Sequence, residues 1–225
     1  MEYQNNKGKK ETYISMDNIK HLIERYPSLS VCEQDIRSAY LLMEKSFASG
    51  GKLLIAGNGG SAADSDHISG ELLKSFVLKR TPEKTFLDTL SSIDKDTGAY
   101  LADKLQGSLP AIPLTSHSAL MTASLNDVDG NVLFAQQVMG YGKAEDVFLG
   151  ISTSGNSKDI IYAMVVAKAK GLKTIALSGR DGGKLKSLAD ISIVVPQTET
   201  YKIQELHLPV YHALCLELEA HFFAE

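Results

Sequence analysis

KLLIAGNGGSAADSDHISGELLKSF, residues 52–76, decides how this chain is read. Its opening run, Leu53-Leu54-Ile55-Ala56, has the length and apolarity of a buried strand. Gly57-Asn58-Gly59-Gly60-Ser61 then turns the chain, and a helix follows, with Ser61 expected as its cap. A strand, a glycine-rich turn and a helix in that order aim backbone N–H groups and a helix N-terminus at an anion. The turn lacks the dinucleotide spacing G-x-G-x-x-G and has no Gly-Lys-Ser/Thr P-loop, so alone it serves a tight connection as readily as a ligand. His67 and Glu71 stand four residues apart on the same helix, one turn from each other on one face. Alone, such a pair is more often a surface or structural pair than a ligand set.

A second turn of this kind lies further on. Asp146–Ile151 reads as a strand running into Ser152-Thr153-Ser154-Gly155-Asn156-Ser157, and a helix starts near Asp159. Three consecutive hydroxyl residues exceed what capping a helix requires. With Ser157 they form a set of donors suited to a phosphate, without any cationic side chain. The final helix, from about Thr200 to Phe223, places Gln204, His207 and His212 in otherwise apolar surroundings. Gln204 and His212 are eight residues apart, about 80° around a straight helix. Pro209 lies between them and is expected to kink or restart the helix, because it cannot donate to the Glu205 carbonyl.

Around these features the chain alternates helix and strand. Two helices precede the first strand, Met16 to about Tyr26 and Val31 to Ala48, divided by Pro27. After residues 79–109, a charged excursion with one or two short helices, come a strand at Ala111–Leu114 and helices at Ser118–Leu125 and Asn131–Met139. A helix at Asp159–Lys170, a strand at Lys173–Leu177, a short helix at Gly183–Ala189 and a strand at Ile191–Val195 complete the series. This order implies α/β architecture with parallel βαβ units, whose ligands bind beyond the carboxyl ends of the strands. Both polar turns fall at such ends.

Composition narrows the class. The 225 residues suit one domain (15–225) behind a polar tail (1–14). With 44% hydrophobic residues there is ample material for a core, and a net charge of −4 offers no footprint for nucleic acid. No apolar run reaches membrane-spanning length, and the N-terminus lacks a signal-peptide core. Cys32 and Cys215, both in apolar helical contexts, are expected as inert thiols in a reducing compartment, the cytoplasm.

The motifs GNGGSAAD-x-x-H-x-x-x-E, NDVDGNVLFAQQV, GISTSGNS, LSGRDGGKL and IQELHLPVYH, in this order, resemble the sugar-isomerase (SIS) domain proteins, and most of all the phosphoheptose isomerases among them. The resemblance runs from about residue 30 onward, apart from the excursion. It implies a single three-layer SIS domain, a five-stranded parallel sheet flanked by helices, assembled as a homotetramer. It further implies a Zn²⁺ site of His67, Glu71, Gln204 and His212, with Glu71 and His212 as catalytic base and acid. The sugar phosphate would be bound by Asn58, Gly59, Gly60, Glu71, Asn126, Asp127, Ser152, Thr153, Ser154, Ser157 and Gln204. The implied reaction is conversion of D-sedoheptulose 7-phosphate to D-glycero-D-manno-heptose 7-phosphate through an enediol. Isomerisation of another phosphosugar, or phosphosugar binding without turnover, are the alternatives. Departures from the family pattern are Tyr201 and Lys202 before the Ile-Gln pair, Lys74-Ser75 where an Arg is expected, Pro209, and the excursion.

Overall fold

The computed structural model describes residues 17–224, so the tail expected at 1–14 lies outside the described residues. Five strands form one parallel sheet in the order β2-β1-β3-β4-β5. They are β1 (Leu53–Gly57), β2 (Ala111–Pro113), β3 (Val147–Ile151), β4 (Lys173–Ser178) and β5 (Ile191–Val194). Every residue of β1 and of β3 is buried, as strands covered on both faces must be. Side-chain alternation divides them between two cores. Leu53, Ile55, Val147, Leu149, Ile175 and Leu177 point to one face, and Leu54, Ala56, Phe148 and Ala176 to the other.

The helices are distributed by crossover handedness. From β1 the chain steps to one side, to β2, and every later strand is added on the other side. Right-handed crossovers therefore place α3 (Gly60–Leu73) on one face and α7 (Leu133–Tyr141), α8 (Lys158–Ala169) and α9 (Gly183–Leu188) on the opposite one. Sharing the α3 face are α1 (Asn18–Arg25), α2 (Glu33–Ala48) and the long α10 (Thr200–Phe223). The site's helices, α3 and α10, are thus neighbours by topology.

Local chemistry moves several boundaries from their expected places. Ser61 does not cap α3. Gly59 occupies the cap position at φ 55°, the left-handed region, and Ser61 is buried inside the helix. Val31 and Cys32 belong to a 3₁₀ turn begun by Pro27, and α2 starts at Glu33, where two acidic residues meet the helix N-terminus. A second 3₁₀ turn, Gly130–Val132, precedes α7, and α6 extends from Ser118 to Asp127. Helix α10 passes through Pro209 without a restart.

The excursion is a helical hairpin of α4 (Lys84–Ile93) and α5 (Lys95–Lys104). The two helices cross closely at Gly98, where any side chain would meet the Leu90 carbonyl. No residue of α4 is buried, and Phe86, Ile93 and Tyr100 are exposed. Its base is closed by backbone, Gly107 N–H donating to the Arg80 carbonyl at 2.8 Å.

At that base lies a fully buried ion pair. Glu219 of α10 accepts from Arg80 Nε at 2.7 Å and from the amides of Phe76, Val77 and Leu78 at 2.8, 2.9 and 3.1 Å. Arg80 spends its other nitrogens on the carbonyls of Leu72 and Glu71, each at 2.8 Å, at the C-terminal end of α3. Burial alone would raise the Glu219 carboxyl, but the three amides and Arg80 together hold it below its ordinary value. A folded value below the unfolded one gives stability that is full at neutral pH and is lost as pH falls through the folded value. Glu219→Gln, which strands the buried guanidinium, is therefore expected to cost about 3–5 kcal/mol in urea titrations at neutral pH. The difference from wild type should shrink as the pH is taken below 4.5, the ordinary glutamate value; a constant difference down to acid pH would contradict this account.

Candidate active site

The parallel register aligns Gly57 with Ile151, so the turns that follow β1 and β3 emerge side by side. Here strand order also reverses direction, the switch point at which open α/β sheets form their crevice. The two turns are tied across it. Asn58 Nδ2 donates to both carboxylate oxygens of Asp159, at 3.1 and 2.8 Å, in the first turn of α8.

In the first turn, glycine is required by packing as well as by conformation. A Cβ at Gly57 would collide with the Ser61 carbonyl, and one at Gly60 with the Gln204 amide. Gln204 is thereby laid over the start of α3. In the second turn, Ser152 and Ser157 share a hydrogen bond of 2.9 Å, and Gly155 sits at φ 66°. Asn156 donates to the Ser154 carbonyl and accepts from the Lys184 amide, which fastens the loop to α9. Ser157 makes no side-chain cap bond to α8, and the first-turn amide of Ile160 donates to Asp159 Oδ1 at 2.9 Å, so the loop hydroxyls are the donors left for an anion.

A dozen ångströms along α3 and α10, roughly the rise of eight residues, lies the titratable cluster. His67 Nε2 is 3.2 Å from Glu71 Oε1, and Lys74 Nζ is 3.3 Å from Glu71 Oε2. His212 arrives from α10 with its ring centroid 5.0 Å from that of His67 and nearly perpendicular to it. Phe76 walls the other side of His212 at 5.4 Å. Burial, with the neighbouring His67, keeps the His212 imidazole below its ordinary value despite the pull of Glu71. Its Nε2 is buried with no hydrogen-bond partner.

His67, Glu71 and His212 are thus gathered at one point on the α3–α10 seam, while Gln204 lies further up the seam at Gly60. Asn126 and Asp127 stand exposed at the end of α6 and, among the described residues, hydrogen-bond to each other and to none of the other candidates. His207 is fully buried near the end of β4, and desolvation lowers it to about 4, so it remains neutral. Among the described residues no three His, Cys, Asp or Glu side chains form a ready-made metal cluster. The donor types nevertheless fit a divalent ion: two imidazoles and a carboxylate are zinc-type ligands, and the buried His212 Nε2 has no other partner.

Two members of the site escape a reading of the sequence. Tyr211 hydrogen-bonds His67 Nδ1 at 2.9 Å and reaches Asp64 at 3.3 Å. Asp64 precedes His67 by one helical turn, and Tyr211 is a polar-tipped residue next to His212 in an apolar run; those positions were the available signal.

Comparison with known proteins places this geometry. A family model described as SIS domain matches residues 101–179, beginning inside the second helix of the hairpin. The phosphoheptose isomerase of Helicobacter pylori strain P12 is 37% identical over 195 residues, 87% of this chain and 88% of that protein. Among solved structures, the phosphoheptose isomerase GmhA of Neisseria gonorrhoeae aligns with a TM-score of 0.69 at 31% identity, covering 89% of this chain and 96% of the other. The phosphoheptose isomerase of Francisella tularensis gives 0.71 at 30%, covering 89% and 93%. The chain belongs to the phosphoheptose isomerases of the SIS-domain family.

Proposed function

We propose that this enzyme converts D-sedoheptulose 7-phosphate to D-glycero-D-manno-heptose 7-phosphate, with Glu71 as the base at carbon and His212 as the acid–base group at oxygen. The observation that carries the reading is the meeting of His67, Glu71 and His212 on the α3–α10 seam, in a chain whose relatives are phosphoheptose isomerases.

The reaction moves one proton between adjacent carbons and one between their oxygens. Glu71 takes a proton from the hydroxymethyl carbon of the ketose, the C–H electron pair becoming the enediol double bond. The same carboxyl then returns the proton to the former carbonyl carbon, leaving the aldehyde at the chain end. A carboxylate held in a largely desolvated place by Lys74 and His67 is suited to this shuttle. His212, neutral because burial holds it down, accepts the hydroxyl proton of one oxygen and supplies a proton to the other. The Ser152–Ser157 hydroxyls hold the phosphate and Asn58–Gly60 the sugar body, with the carbonyl end of the sugar at Glu71 and His212. Asn126 and Asp127 would reach the sugar from α6.

His67, Glu71 and His212 would hold a Zn²⁺ ion, Gln204 joining them only if its amide left Gly60; when bound, the ion would polarise the substrate carbonyl and stabilise enediolate charge. The Glu71 oxygens face different neighbours, Oε1 toward His67 and Oε2 toward Lys74, so one can ligate while the other handles the proton. A homotetramer accords with the half-open site, where the His67 side chain is 41% exposed, and with exposed apolar side chains such as Val31, Leu41 and Val128. Among the described residues no helix is long and apolar enough to cross a membrane, and both cysteines are free and buried; we place the enzyme in the cytoplasm.

Purified protein with Zn²⁺ and sedoheptulose 7-phosphate should form the aldose. Glu71→Gln should lower kcat by about 10²–10⁴-fold with KM little changed. No aldose from wild type, or equal rates for the variant, would sink the assignment, and turnover of a different phosphoketose in a substrate panel would redirect it. Dialysis against a chelator should abolish activity and Zn²⁺ restore it, with metal content measured in parallel; full activity in metal-free protein would remove zinc from the account.

A further inference from the structure

His67 is held from behind as well as from in front. Its Nδ1 lies 2.9 Å from the phenolic oxygen of Tyr211, and that hydroxyl reaches Asp64 Oδ1 at 3.3 Å. Tyr211 is 2% exposed, so packing fixes where its hydroxyl points. The other Asp64 oxygen, Oδ2, is buried with no partner, which makes the Tyr211 hydroxyl the donor on which this carboxylate depends among the described residues. Asp64, Tyr211, His67 and Glu71 form one continuous chain of contacts, running from buried carboxylate to catalytic base.

The order of donors along it follows from its first member. A carboxylate only accepts, so Tyr211 gives its single proton to Asp64. The phenolic oxygen then offers only lone pairs to the imidazole, and Nδ1 of His67 must carry the hydrogen. A neutral histidine has one N–H, which leaves Nε2 as a bare lone pair aimed at Glu71 Oε1, 3.2 Å away. Two acceptors so placed repel unless something positive stands between or beside them. The opposite order would let Nε2–H donate to Glu71, but it turns the Tyr211 proton toward His67 and strands the Asp64 carboxylate without a donor. Burial raises the Asp64 carboxyl above its ordinary value, and the Tyr211 hydroxyl and His67 offset part of that rise.

From this we infer that Asp64 and Tyr211 are positioning residues that lock His67 as its Nδ1-protonated tautomer and keep Nε2 presented to a divalent ion or a substrate oxygen at Glu71. The role of Nε2 rests on the isomerase reading; the tautomer does not. A histidine ligand held through its second nitrogen by a polar partner loses about 10–100-fold in metal affinity or activity when that partner is removed.

The test is Tyr211→Phe, which keeps the ring volume and removes the hydroxyl. In metal-free wild type labelled with ¹⁵N-histidine, long-range ¹H–¹⁵N spectra should show neutral His67 protonated at Nδ1. In Tyr211→Phe the proton should move to Nε2, where Glu71 accepts it. Zn²⁺ affinity, by competition with a chelating dye, should fall by about 10-fold or more, and kcat should fall with KM nearly unchanged. Asp64→Leu, which removes the acceptor of the Tyr211 proton, should move the same three readouts in the same direction. A Tyr211→Phe ring that stays protonated at Nδ1, or losses that track only a lowered thermal midpoint, would overturn the inference. Wild type that shows the tautomer but no turnover would instead sink the isomerase reading and support the tautomer lock.

Discussion

The buried pair of Arg80 and Glu219 governs how the two helices of the site are held. Removing two charges from water costs several kcal/mol per ion, and mutual attraction offsets this only when every remaining polar atom is also satisfied. Here that condition is met to an unusual degree. Glu219 accepts three consecutive backbone amides in addition to the guanidinium, and Arg80 completes its donors on the Glu71 and Leu72 carbonyls. Those carbonyls belong to the last turn of α3, which lacks partners within the helix and carries the negative end of its dipole. One side chain therefore terminates α3, neutralises its end and ties it to α10. Glu71, whose own backbone carbonyl is among the atoms gripped, is aimed by this arrangement. At the other end of the seam the Gln204 amide lies against Gly60, with His67, Glu71 and His212 between that contact and the ion pair.

The same clamp explains how the chain tolerates its excursion. Residues 81–106 leave the body at Arg80 and return at Gly107, and a backbone hydrogen bond closes the two ends. Once the ends of a loop are fixed by the body, added length costs little conformational entropy. The hairpin needs no core of its own, consistent with Gly98 being its one buried residue in helix. Leu109 then donates to the Leu72 carbonyl and leads directly into β2.

How much of this was legible in the sequence depends on the range of the interaction responsible. Strands such as Leu53–Gly57 and Val147–Ile151 announce themselves because burial on both faces demands an unbroken apolar run. Helix α10 could be bounded from its pattern to the residue, even with Pro209 inside it. The cap of α3 was misplaced because Ser61 is a good cap by type, whereas the turn needs the positive φ that Gly59 adopts. Arg80 and Glu219, 139 residues apart, carry no local signature: each reads as an ordinary surface charge until the fold brings them together. The bridge from the Asn58 amide to Asp159 is likewise invisible in the sequence, because only the sheet register creates it.

The histidines show why residue type alone could not assign chemistry. His207 and His212 lie on one helix, five residues apart, and burial lowers both. For His207 nothing opposes desolvation strongly, its value drops to about 4, and it stays a neutral part of the packing at any physiological pH. His212 is less deeply placed, and the charge of Glu71 opposes part of the lowering that burial and His67 impose. His67, on the partner helix, is the most open of the three and receives its orientation from Tyr211 rather than from burial. A neighbouring carboxylate, a buried phenol and the depth of each ring in the seam thus give three histidines of one type three different environments. The α3–α10 clamp is what sets those depths.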